Sequence, residues 1–159
     1  MTNRMHDAMC ENIEELVIGA AIVEGITCDV DDASNIIRGK HVDGICQHDI
    51  DVIGGLVDAY RWMFENFDKP VSFDVVARYN WCVEHRFDDR VGKLRAEPVY
   101  ISGCEYEPPM STIDAFDDII STAYGAYEFS DDRAIFALLH CAKRQFFCDW
   151  NKRTAQVIE

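Results

Sequence analysis

Positive charge is scarce in this chain. Its 15 lysines and arginines face 29 aspartates and glutamates over 159 residues, a formal net charge of −14 and a pI near 4.6. That balance argues against a general nucleic-acid binder, whose footprint would be basic, and it repels anionic membranes. Long apolar runs are missing too. The longest, Leu16 to Val23, is interrupted by Gly19 and falls far short of the roughly 20 residues that a membrane span needs. The polar start, Met1 to Asp7, leads into no signal-type apolar region, so cytoplasmic residence is the expectation. The seven cysteines are odd in number and include no CxxC pair, unlike a disulfide scaffold. Cys46-Gln47-His48 lacks the second ligand pair of a metal site, and Cys141 and Cys148 read as small apolar packing residues.

What is present suffices for one domain with a real core. Hydrophobic residues make up 48% of the chain, which excludes a disordered polymer, and no repeat or Pro/Ser-rich linker divides residues 1–159. Apolar spacing of three and four predicts a helix over about 9–24, ending near Glu24-Gly25. Thr27 or Asp29 can cap a helix over 30–38 with Gly39 as its stop. Asp49 can cap one over 50–67, and Pro70 with Ser72 opens another over 73–87. The periodicity then changes. Pro98-Val99-Tyr100-Ile101-Ser102-Gly103, followed by Cys104 to Pro109, predicts a small hairpin. Ser111-Thr112 caps a helix over 113–127, and Ser130 with its two aspartates starts one over 133–146. A loop, 147–150, leads into helical turns from Asn151. The expected class is mainly α with one hairpin.

The chemically informative segment is Gln145-Phe146-Phe147-Cys148-Asp149-Trp150-Asn151-Lys152-Arg153-Thr154-Ala155-Gln156. A loop entering a helix at Asn151 exposes unpaired N–H groups and a positive dipole end, which suit a phosphate. Arg153 offers a permanently charged fork for phosphate oxygens, and Asp149 is a hard oxygen ligand for Mg²⁺. Taken alone, each has a blander reading: Asp149 with Arg153 as a surface ion pair, Glu24 as a solvated helix end, Arg95 as a solvated charge.

The segment resembles the signature of the Fic (Fic/Doc) domain family, His-x-Phe-x-(Asp/Glu)-Gly-Asn-x-Arg-x-x-Arg, in its Asn-Lys-Arg-Thr-Ala variant. Phe147, Asp149, Asn151, Lys152 and Arg153 stand in register. Lys93-Leu94-Arg95, Val99 to Gly103 and Tyr106-Glu107-Pro108-Pro109 are similar to the family's flap, and Glu24-Gly25-Ile26-Thr27 resembles its inhibitory Glu-Gly-Asn segment. The resemblance implies a Fic-fold helical bundle with a small β-hairpin flap and an N-terminal inhibitory-type helix. It implies ATP or another nucleotide with Mg²⁺, held by Asp149 for the metal and by Asn151, Lys152 and Arg153 for phosphates. It further implies inhibition by Glu24 and a target protein docked by strand addition on Val99, Tyr100, Ile101 and Ser102.

The departures are specific. The family histidine, which takes the proton from a target hydroxyl, is Gln145 here, and a carboxamide cannot act as a general base. His140 lies five residues earlier, about 500° of helical rotation away, on a different face. Trp150 replaces the family glycine, Gln156 the second arginine that would meet Glu24, and Ala20 the Ser or Thr of the inhibitory helix. The chain stops at Glu159, where family members continue, so a shortened C-terminus is expected. The leading expectation is a Fic-family nucleotidyltransferase homologue of AMPylation type, attenuated or altered in its chemistry. The alternative is a catalytically inactive Fic-like pseudoenzyme or protein-interaction module, with a Doc-like toxin–antitoxin role as a sub-case.

Overall fold

A computed structural model describes residues 12–88, 90–149, 151 and 154. Among these residues, six full helices follow one another: α1 (Ile13–Val23), α2 (Val30–Ile37), α3 (Gln47–Glu65), α4 (Phe73–Glu84), α5 (Ile113–Ala126) and α6 (Ser130–Arg144). They fall into two compact units, Met1–Lys69 with Cys82–Phe87, and Pro70–Trp81 with Asp88–Glu159.

In the first unit, α1 and α2 both pack on α3. Val17, Ala20 and Ala21 of α1, Ala33 and Ile36 of α2, and Val52, Ile53, Leu56 and Val57 of α3 are buried, the apolar stripes that helical periodicity exposes to a core. Glu14 ties α1 to α2 by accepting from Ser34 Oγ (2.7 Å) and Arg38 (2.9 Å). Those two hydrogen bonds hold its carboxyl below the usual range.

Chain stops in this unit have a local cause. At the end of α1, Gly25 N donates to Ile22 O and Ile26 N to Ala21 O. At the end of α2, Gly39 N donates to Ile36 O and Lys40 N to Asn35 O. These are paired 5→2 and 6→1 closures, which need a left-handed residue at their centre, and φ is +79° at Gly25 and +72° at Gly39. Asp29 caps α2 through Asp32 N (2.8 Å), as expected of one of its two candidate caps.

Several helix starts differ from expectation. α3 begins at Gln47 after Cys46, not at Ile50. Gln47 Nε2 bonds Asp51 across the first turn (3.0 Å), and Asp49 sits inside that turn, where its charge complements the helix dipole. α6 begins at Ser130 after Phe129, so Asp131 and Asp132 lie in its first turn instead of preceding it. By contrast, Thr112 caps α5 as expected, accepting from Ala115 N (3.1 Å).

The second unit packs α5 against α6 around Phe73, Val76, Ala77, Phe116, Ala137, Cys141, Phe146 and Phe147. Phe73 stacks on Phe147 at 5.6 Å and meets Phe116 edge-on at 5.7 Å. Cys141 behaves as the apolar packing residue expected of it, and burial pushes its thiol up to about 12. Cys148 does not, because it is exposed.

The expected hairpin is the main correction: no strand occurs among the described residues. The chain does reverse, with Cys104 N donating to Ile101 O (3.2 Å) and φ of +75° at Gly103. The arms nevertheless form no ladder. Pro98, Pro108 and Pro109 lack the N–H that a ladder requires, and the carbonyls of Glu97, Pro108 and Pro109 all accept from Arg95 instead.

Two adjacent glycines of α3 separate close approach from mere tolerance. A Cβ on Gly55 would collide with the Val83 carbonyl oxygen, its carbon being 3.0 Å away, whereas one on Gly54 would meet only the guanidinium of Arg86, an exposed side chain that can move. Gly55→Ala is therefore expected to lower stability by about 1–3 kcal/mol, the usual cost of overpacking. Gly54→Ala should be neutral or stabilising, since alanine favours a helix by roughly 0.5–1 kcal/mol. Thermal melts followed by circular dichroism check both, and equal melting temperatures would contradict the packing described.

Candidate functional site

The last turn of α6 and the loop after it make an unusual piece of backbone. Gln145 closes α6 in the left-handed region (φ 55°, ψ 66°). It is the only non-glycine residue with positive φ among those described. Such a conformation costs a residue with a Cβ about 1–2 kcal/mol, and it persists only where the surroundings over-determine it.

Three sets of bonds do so here. The Gln145 carboxamide donates to Ala142 O (2.6 Å) and accepts from Asn151 Nδ2 (3.0 Å). Asn151, buried, also accepts from Phe147 N (2.8 Å) and donates to Phe147 O (2.8 Å), so both of its amide hydrogens and its oxygen are used within the loop. The Gln145 carbonyl accepts from Arg95 Nε, and Arg95 N donates to Phe146 O (3.0 Å).

Arg95 is only 2% exposed. Its guanidinium also donates to Glu97 O (2.8 Å), Pro108 O (3.3 Å) and Pro109 O, with Met110 Sδ at 3.4 Å. A fork of fixed donors is thus spread over four backbone carbonyls, joining the motif loop to both ends of the 97–109 segment. Burial lowers the guanidinium below its ordinary pKa, and the charge of Arg144 pushes the same way, while Cys148 and Tyr106 oppose them. Arg95 is a structural centre and not a solvated charge.

Asn80 holds the loop from the other side. It is 1% exposed, donates to Thr154 Oγ1 (2.9 Å) and to Asp149 O (3.4 Å), and accepts from Gly92 N (2.8 Å). The sequence reading passed over it. Its signal was an Asn on the apolar stripe of α4, four residues after Val76 and three before Val83, where a polar side chain is retained only with partners.

The other expected site residues are distributed as follows. Phe147 is buried in the aromatic core and anchors the loop. Asp149 is exposed, its carbonyl tied to Asn80. Lys152 and Arg153, together with Trp150 and Gln156, lie outside the described residues. Val99 and Ile101 are half-buried and Ser102 is exposed, while Tyr100 is 78% exposed. Glu24 is the C-cap of α1 and belongs to the first unit, the motif to the second. His140 stacks on Phe136 (4.1 Å) and takes no part in the bonds around Gln145. Cys46 and His48 are both exposed, and no group of three or more His, Cys, Asp or Glu suited to a metal occurs among the described residues. A single carboxylate such as that of Asp149 fits Mg²⁺ only as one ligand among several oxygens.

No family model and no curated protein matches the sequence. Among solved structures, the fold is similar to that of a Fic family protein from Desulfovibrio desulfuricans G20, with a TM-score of 0.75 at 17% identity over 99% of this chain and 48% of that one. The chain thus spans about half the length of that protein. The likeness establishes a Fic-like helical fold.

If Arg95 is the centre of this unit, Arg95→Met should cost about 2–4 kcal/mol, because several buried carbonyls lose their donor together. Arg95→Lys should recover only part of that, since an ammonium cannot span the same carbonyls. Urea unfolding measures both, and a methionine variant as stable as the parent would contradict the arrangement.

Proposed function

We propose that this chain is a nucleotidyltransferase homologue of Fic type whose motif loop keeps its shape while its proton-transfer chemistry is attenuated or altered. The observation carrying this reading is the left-handed Gln145, a strained residue at the motif's first position, held by buried Arg95 and Asn151. A loop held so closely around a costly conformation suits a site that must present atoms in fixed places.

In this reading, Asn151 shapes the loop from within, and the phosphate contacts fall to Lys152, Arg153 and the backbone amides entering the last helix. Asp149 would be the residue that holds the Mg²⁺ arriving with the nucleotide, an ion that would supply neutralisation of phosphate charge. Transfer of AMP would form a bond from a target hydroxyl oxygen to the α-phosphorus, with pyrophosphate leaving and the hydroxyl proton needing an acceptor. Gln145 cannot supply that acceptor, and its amide is already committed to Ala142 and Asn151. Loss of a positioned base removes a factor of about 10²–10⁴ in rate. Glu24 is proposed as the inhibitory group and residues 99–102 as the docking edge for a target segment.

A second reading, a pseudoenzyme that holds a partner, is favoured by the same side chain, since Gln145 serves the loop instead of a reaction. Calorimetry separates the two. The first expects ATP with Mg²⁺ to bind and Asp149→Ala to weaken that binding; no heat at millimolar nucleotide would remove it. Gln145→His should then give transfer of labelled AMP, provided the variant still binds ATP. Binding without transfer would leave the pseudoenzyme reading in place.

A further inference from the structure

Beside the last turn of α6, the second unit contains a cleft about 350 Å³ in volume, lined by Tyr106, Asp118, Ile119, His140, Lys143 and Arg144 among others. In a chain of net charge −14, this one cleft gathers two permanent cations and a histidine against a single carboxylate. We propose that it binds a phosphate monoester, with Lys143, Arg144 and His140 receiving the phosphoryl oxygens and Asp118 accepting from a hydroxyl on the organic part.

Several observations support the assignment. Arg38, Arg86 and Arg90 each have an acidic partner, whereas neither Lys143 nor Arg144 forms an ion pair among the described residues. Arg144 Nε is buried and has no hydrogen-bond partner among them. A buried N–H on a charged group calls for an acceptor, and a small shift of the guanidinium toward the cleft would let an anion supply one. The groups are also held in place. Ser111 Oγ donates to Arg144 O (3.1 Å), the Lys143 ammonium lies 5.1 Å from the centre of the Tyr106 ring, and His140 is stacked on Phe136.

Cations in the last turn of α6 complement its dipole, which accounts for their charge but not for the buried Nε. A phosphate suits this set better than a carboxylate, because its three terminal oxygens can meet a fork, an ammonium and an imidazole together. The site does not rest on the nucleotide reading, since none of its residues belongs to the motif loop.

The test is calorimetry or ³¹P line broadening with glycerol 3-phosphate and inorganic phosphate, at low salt and without Mg²⁺. Both ligands should bind at millimolar concentration or below, the ester more tightly. Lys143→Gln and Arg144→Gln should each weaken binding at least tenfold, and Lys143→Arg should restore it. Asp118→Asn should remove the advantage of the ester. Should Arg144→Gln fail to fold, the exposed Lys143 keeps the test decisive. Absence of binding, or affinity unchanged in Lys143→Gln, overturns the proposal. Loss of binding in Arg153→Gln with affinity unchanged in Lys143→Gln would move the anion to the motif loop and overturn it equally.

Discussion

A buried guanidinium that meets carbonyls and not a carboxylate governs the geometry of the second unit. Arg95 donates to Gln145, Glu97, Pro108 and Pro109, bringing the end of one helix and both ends of a long connection to a single point. Burying a charge this way is tolerable only when its donors are satisfied. Removing any one contact therefore strains the others, and the motif loop inherits that rigidity. The same contacts explain why the 97–109 segment turns without forming a sheet: its closure comes from a side chain, at carbonyls that a ladder would otherwise use.

Shape and chemistry come apart at residue 145. The left-handed turn keeps Phe147 in the aromatic core and Asn151 folded back on the Phe147 amide. What position 145 lacks is a side chain able to take a proton. The carboxamide of Gln145 suits the hydrogen-bonding part of the position, because it can donate to Ala142 and accept from Asn151 at once. A neutral imidazole has one donor and one acceptor on a rigid ring and would have to divide itself between structure and catalysis.

Much of this was legible in the sequence, for identifiable reasons. The helices of the first unit follow from apolar spacing and from Gly25 and Gly39, whose places in paired closures are local properties of the chain. The Thr112 cap of α5 is local in the same way, its hydroxyl accepting from Ala115 N three residues on. The hairpin was not legible, since alternation and β-branching around Val99 cannot reveal that a distant arginine will take the carbonyls at its base. Asn80 was missed for the same reason: its partners, Gly92 and Thr154, are 12 and 74 residues away. The exposure of Cys148 follows from the loop's path, which spacing alone does not define.

The account stands most directly on the Phe147 amide, which donates to Asn151 Oδ1 inside the loop that Arg95 holds. Native-state hydrogen exchange reads it out residue by residue. Protection close to that of the α6 core amides is expected in the parent, with selective loss at Phe147 in Arg95→Met while α6 stays protected. A Phe147 amide that exchanges as fast as an open loop in the parent protein would contradict the account.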